Sequence, residues 1–132
     1  MQWDASKTWY HGSPLRLTSV RPGSTITQDR ELARVFSHKP SLVVQDIDDV
    51  GNRQIKHTGT QPGLLYRIAE EIRPGDVYPH PETTMVPGQE WLTTRELRVQ
   101  LIGPTQIVAD ELLTADEIEE LQHKIAESRR GN

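Results

Sequence analysis

The residues best suited to chemistry lie together near the start of the chain, at positions 9–13 (Trp-Tyr-His-Gly-Ser). An aromatic-rich segment that ends at glycine is typical of a β-strand running into a turn. Alternation along such a strand places His11 and Ser13 on one face, and Gly12 would let a ligand approach the backbone closely. An imidazole, exposed amides and a hydroxyl can hydrogen-bond a small polar ligand. Taken alone, the segment fits better a histidine that merely ends a strand and bonds a loop carbonyl.

The same segment resembles the opening motif of the ADP-ribosyltransferase superfamily, whose first core strand ends in His-Gly-Ser or His-Gly-Thr. Within that superfamily the layout looks closest to the small bacterial members, such as the rifamycin ADP-ribosyltransferases. Each similar segment is short, and their order and spacing over residues 8–103 carry the resemblance. Besides the opening strand, these segments are residues 17–26 (LTSVRPGSTI), 35–40 (VFSHKP), 63–69 (GLLYRIA) and 90–94 (EWLTT).

The resemblance implies that the chain binds NAD as a substrate and carries out mono-ADP-ribosyl transfer. It makes His11 and Glu90 the catalytic candidates, with His11 holding hydroxyls of the ribose nearest the adenine or orienting the diphosphate side. The backbone of Gly12 and the hydroxyl of Ser13 would bind the nicotinamide amide. The carboxylate of Glu90 would bond the reacting ribose and stabilise the positive charge that develops on it.

Two aromatic residues complete the implied NAD site, and one of them departs from the family pattern. Phe36 would stack on the nicotinamide ring but lacks the hydroxyl of the tyrosine that the family often has there. Tyr66 is expected to line the nicotinamide side. The sequence does not decide which acid is catalytic, because Asp76, Glu82 and Glu96 lie near Glu90 and are alternative candidates.

Other classes of function stay open beside the transferase. The chain can be a catalytically degenerate NAD-binding module or a protein-interaction module, with three tryptophans and a charged terminal helix as contact surfaces. Residues 75–82 (GDVYPHPE) faintly resemble the first metal motif of cupin barrels. That segment holds a single histidine, His80, whereas a metal site needs three or more convergent ligands. We therefore expect no metal.

Composition limits the class of protein. At 132 residues we expect one domain over residues 1–132, with a core at 7–109 and a C-terminal helix at 110–130. A net charge of −4 gives no overall basic surface for nucleic acid. No cysteine, no visible signal peptide and no long apolar run predict a cytoplasmic protein without a membrane partner. The acceptor (protein, nucleic acid or small molecule) and the oligomeric state are not specified.

The pattern of elements predicts an α+β fold. Short strands, frequent prolines and glycines and a late run of strands favour a mainly antiparallel sheet. The resemblance refines this to an ADP-ribosyltransferase-like fold, with two small sheets around a cleft and a C-terminal helix. Four local predictions matter below: a helix over 28–34 capped by Thr27, a strand at 35–37, a helix opening at Pro40, and a mobile loop over 46–62. Thr114 and Glu117 predict a capping box for the terminal helix.

Overall fold

The computed structural model describes residues 3–130, and their side chains through residue 127. The ends of the predicted 1–132 domain therefore lie outside the described residues. The fold is α+β with mostly antiparallel sheets and a C-terminal helix. Its strands are β1 Tyr10–Ser13, β2 Ser19–Val20, β3 Thr25–Ile26, β4 Val43–Ile47, β5 Arg53–His57, β6 Gly63–Ile68, β7 Val77–Pro79, β8 Trp91–Thr93 and β9 Leu97–Thr105. Its helices are α1 Arg30–Phe36, a short 3₁₀ helix Ala109–Glu111, and α2 Ala115–Arg130.

The strands form three antiparallel groups, in the orders β1-β6-β9-β2, β3-β8-β7 and β4-β5. Backbone hydrogen bonds between Tyr10 and Thr27, in both directions, join the first group to the second. The joined strands curl into a half-barrel around one apolar core. Trp9 meets Trp91 edge-to-face in that core, with ring centroids 5.9 Å apart. The other buried members are Val20, Ile26, Ile68, Ile72, Val77 and Leu97.

Helix α1 begins and ends two residues later than the sequence predicts. Asp29, not Thr27, is the N-cap, and its side chain accepts a hydrogen bond from Leu32 N at 3.2 Å. Thr27 instead pairs with β1 through its backbone. The predicted strand at 35–37 is wrong, because Val35 and Phe36 form the last turn of α1, where Val35 is fully buried.

The predictions for residues 40–62 are also wrong. No helix opens at Pro40, and the predicted mobile loop is largely an antiparallel hairpin formed by β4 and β5. The Asp48 carboxylate accepts the backbone N–H groups of Val50 and Asn52, and Gly51 adopts a φ of 88° that closes the turn. The β-branched pair at the start of β4 suits a strand better than a helix.

The capping box of α2 is confirmed. Glu117 N donates to Thr114 Oγ1 and Thr114 N donates to Glu117 Oε1, both at 3.1 Å. The Glu117 carboxylate also pairs with Lys56 Nζ of β5 at 2.9 Å, which fixes the first turn of the helix against the hairpin. Within residues 3–130, no helix has the length and apolar content needed to cross a membrane.

Candidate active site

One cavity of about 570 Å³ opens between β1, the end of α1, the β4–β5 hairpin and the segment before β8. Its volume lies in the range usual for small-molecule and cofactor sites. Five of the six residues predicted for the site line it: His11, Gly12, Ser13, Phe36 and Glu90. His11 and Glu90 therefore line the same cavity, although they lie near opposite ends of the core sequence.

The imidazole of His11 is held by the neighbouring strand β3. Its Nδ1–H donates to the carbonyl of Thr25 at 2.7 Å, and a carbonyl can only accept. In the neutral ring the lone pair is therefore on Nε2. Burial lowers the pKa of His11 below its usual range, and the nearby Lys39 cation lowers it further, against the opposing effect of the Thr25 bond. Near neutral pH, His11 presents Nε2 as an acceptor.

Gly12 and Ser13 end β1 beneath α1. A Cβ on Gly12 would lie 1.9 Å from the carbonyl oxygen of Ala33 and 2.7 Å from Ser37 N. Glycine is thus required by the close approach of α1, which corrects the sequence interpretation that it makes room for a ligand. Ser13 is buried, and its Oγ accepts the Leu15 N–H at 3.1 Å, which leaves its hydroxyl proton free to donate.

The end of α1 is clamped from several sides, and this clamp positions Phe36. Ser37 and His38 are both fully buried. Ser37 Oγ bonds Thr105 Oγ1 of β9 at 2.7 Å, and His38 Nδ1–H donates to Gln61 O at 2.7 Å. Phe36 directly precedes this clamped pair, is half-buried, and lines the cavity.

Glu90 is the one carboxylate among the cavity-lining residues that the structure describes. It immediately precedes β8, where the buried Trp91 ring and its Nε1–H bond to Gly88 O anchor the backbone. Its own carbonyl accepts the His80 N–H at 3.0 Å. The Thr83 hydroxyl donates to Oε1 at 2.7 Å, so one oxygen is oriented from behind and Oε2 is left for a ligand.

The competing acids lie outside this cavity. Asp76 is bound to the Arg95 guanidinium through both carboxylate oxygens, at 3.1 and 3.2 Å. These bonds and the Arg73 N–H hold the pKa of Asp76 below its usual range, as expected of a structural ion pair. Glu82 and Glu96 are exposed and do not line the cavity.

Tyr66, the sixth predicted site residue, lies away from the cavity. It is buried in β6, where its hydroxyl donates to Leu15 O at 2.6 Å and accepts the Leu17 N–H at 2.9 Å. These two bonds fix the turn that follows β1. The structure therefore gives Tyr66 a structural role behind the site and no contact with its lining.

Sequence reasoning missed one side of the cavity, which is apolar. It consists of residues from the start of the hairpin, the loop before β8 and helix α2: Leu42, Val43, Val44, Met85, Leu121 and Ile125. The helical spacing of the apolar residues in α2 is visible in the sequence, but the surface that they cover is not. Leu121 and Ile125 of that stripe face the cavity, so α2 closes one side of the site.

The cupin-like segment does not assemble a metal centre in the described residues. His80 Nδ1 accepts the Glu82 N–H at 3.0 Å, as in a local turn. Within residues 3–130 no group of three or more histidine or acidic side chains is arranged to hold a metal ion. His123, the histidine of α2, pairs with Glu127 on the same helix at 3.1 Å.

Comparison with known proteins gave no relative: no family model, no curated protein and no solved structure matches the chain. The function proposed below therefore rests on the geometry of the cavity and on the resemblance of the short motifs that line it.

Proposed function

We propose that the protein is an NAD-dependent mono-ADP-ribosyltransferase with an ADP-ribosyltransferase-like fold, acting on an acceptor still to be identified. One observation carries the proposal: His11 and Glu90 line a single cavity of ligand size. The backbone of Gly12, the hydroxyl of Ser13 and the ring of Phe36 line the same cavity. With no cysteine in the chain, we also propose that it works in the reducing cytoplasm.

NAD supplies a ribose whose bond to a positively charged nicotinamide breaks, so that nicotinamide leaves neutral and positive charge grows on the sugar. Glu90 suits the task of stabilising that charge, because Thr83 orients Oε1 and leaves Oε2 to bond the ribose 2′-hydroxyl. A carboxylate fixed in advance is more effective than a mobile one, since it needs no reorganisation as the charge develops.

His11 suits the other ribose, the one nearest the adenine. Its Nδ1–H is committed to Thr25, so Nε2 can accept a hydrogen bond from a ribose hydroxyl. The lowered pKa keeps the ring neutral, which preserves that acceptor near pH 7. Ser13 has a hydroxyl proton to donate, which suits the carbonyl of the nicotinamide amide.

The test is nicotinamide release from NAD, with water as the acceptor, measured by chromatography. Glu90→Gln should lower the rate by about 10²–10³, because it removes a charge aimed at the developing cation. NAD should still raise the midpoint of thermal unfolding of this variant, because the amide keeps the shape of the site. Glu82→Gln is the matched control, since that carboxylate is exposed and outside the cavity.

Two results would refute the transferase. The first is equal nicotinamide release by the wild-type protein and Glu90→Gln, and the second is a wild-type protein that NAD neither stabilises nor reacts with. A specific observation favours a second candidate, a binding module without catalysis: Phe36 offers the cavity a ring but no hydroxyl. That module would be stabilised by NAD and would release no nicotinamide.

A further inference from the structure

Lys39 has an unusual backbone conformation at the edge of the cavity. Its φ is 57°, and no other non-glycine residue in the described part of the chain has a positive φ. It follows the clamped Ser37–His38 pair and lines the cavity together with His11 and Glu90. A side chain in the left-handed region is strained, because Cβ approaches the following carbonyl oxygen.

The conformation at position 39 is imposed by its surroundings. Three glycines pack against the preceding residues so closely that a Cβ on any of them would overlap the chain. Gly12 and Gly63 meet Ser37, and Gly59 meets His38, with distances from the added Cβ of 2.2–2.7 Å. Lys39 N then donates to Phe36 O at 3.1 Å, which closes the turn after α1. The position after a helix end of this kind favours glycine or asparagine, so lysine is not explained by the backbone.

The charge of Lys39 is also unexplained by folding. None of the ion pairs formed between described residues includes it, and its side chain is exposed. It is the one lysine or arginine among the described residues that line the cavity, as Glu90 is the one carboxylate. The cavity therefore has a cationic and an anionic group but no ion pair between them.

We propose that Lys39 binds the diphosphate of the dinucleotide, so that NAD lies with its diphosphate at Lys39 and its nicotinamide ribose at Glu90. This inference rests on the proposed function, and it adds the residue that orients the substrate. An ammonium group is a compact point charge that suits phosphate oxygens, whereas a diphosphate placed at Glu90 instead would lie against a carboxylate of the same charge. The clamp around Ser37 and His38 then holds the backbone of Lys39 at the edge of the cavity rather than leaving it on a free loop.

The experiment measures binding of ADP-ribose by calorimetry, alongside nicotinamide release from NAD. In Lys39→Gly the charge is lost while the positive φ is kept without strain, so the unliganded variant should unfold at a higher temperature than the wild-type protein. Its ADP-ribose affinity should fall about tenfold, the loss expected for one charge-assisted hydrogen bond. The KM for NAD should rise by a similar factor, with kcat within about twofold, because the lost contact binds ground and transition states equally.

Two further variants separate charge from conformation. Lys39→Arg should keep the ADP-ribose affinity within about threefold of the wild-type value, since the cation remains. Lys7→Ala removes one positive charge from an exposed position outside the cavity and should leave the affinity unchanged. Equal affinity in Lys39→Gly and the wild-type protein would overturn the proposal, and so would a wild-type protein that does not bind ADP-ribose. Normal ADP-ribose binding without nicotinamide release would refute the transferase but leave the role of Lys39 standing.

Discussion

Gly12→Ala tests why a glycine follows the histidine of β1. The added methyl carbon would lie 1.9 Å from Ala33 O, about 1.5 Å inside the 3.4 Å at which ordinary contact begins. It would also lie 2.7 Å from Ser37 N, and these two atoms form the last hydrogen bond of α1. Both are backbone atoms, so no side-chain rotation relieves the overlap, and α1 must move away from β1.

That displacement should be costly. Overpacking a core typically costs 1–3 kcal/mol, and loss of the Ala33–Ser37 hydrogen bond adds about 1 kcal/mol, so we expect Gly12→Ala to lose about 2–4 kcal/mol. For a domain of this length that corresponds to a fall of about 10 °C in the unfolding midpoint. Urea unfolding followed by the fluorescence of buried Trp9 and Trp91 measures the free energy directly.

The control is Gly103→Ala in β9. A Cβ there meets nothing within 4 Å, and the backbone does not have a positive φ. We expect its free energy of unfolding to stay within about 0.5 kcal/mol of the wild-type value. If Gly12→Ala were as stable as Gly103→Ala, α1 would not pack on β1 at the distance described. Glycine would then have to be explained by a ligand after all.

Two further predictions concern stability. The pKa of both His11 and His57 lies below the usual range because burial disfavours the imidazolium, so the folded protein binds fewer protons than the unfolded chain. Their contribution is fully present above about pH 6.5 and is lost as the pH falls through their lower folded-state values. The midpoint of thermal unfolding should therefore decrease as the pH is lowered from 7 to 5. A midpoint that stays constant over this range would contradict the burial of these rings. Separately, Glu111→Gln should cost about 1–3 kcal/mol in urea unfolding, because it leaves the mostly buried Arg34 guanidinium without the carboxylate that it contacts at 2.9 and 2.6 Å. Glu71→Gln, which alters an exposed pair, should change the stability by less than about 0.5 kcal/mol, and equal losses in the two variants would refute the difference in burial.

The features that sequence alone could predict are those set by local chemistry. The Pro-Gly turn at 21–24 is present, with Gly23 at a φ of 87° and Ser24 N donating to Arg21 O. The capping box of α2 is formed by residues three positions apart, and the apolar run at 63–69 forms β6. The aromatic-rich strand predicted to end at Gly12 also forms, and it ends one residue later, at Ser13.

The segment from residue 35 to residue 62 could not be predicted, because distant contacts decide it. Val35 and Phe36 have side chains that favour strands, yet the packing of α1 on β1 makes them helical. Gly59 and Gly63 appear as ordinary loop and turn residues in the sequence. Their real constraint is contact with His38 and Ser37, more than twenty positions away along the chain. A pattern search over short windows contains no information about such a contact.

The two sides of the cavity also differ in whether local or distant contacts determine them. This difference explains why only one side was predicted. The polar side comes from β1 and from Glu90, which immediately precedes β8. At these strand ends, a few neighbouring residues in the sequence decide where each side chain lies. The apolar side is assembled from the hairpin, the loop at Met85 and helix α2, which meet only in the folded chain. A stripe such as Leu121 and Ile125 tells which face of a helix is apolar but not what that face covers. A motif can therefore reveal the polar residues of a site, whereas the apolar surface opposite them follows only from the assembled fold.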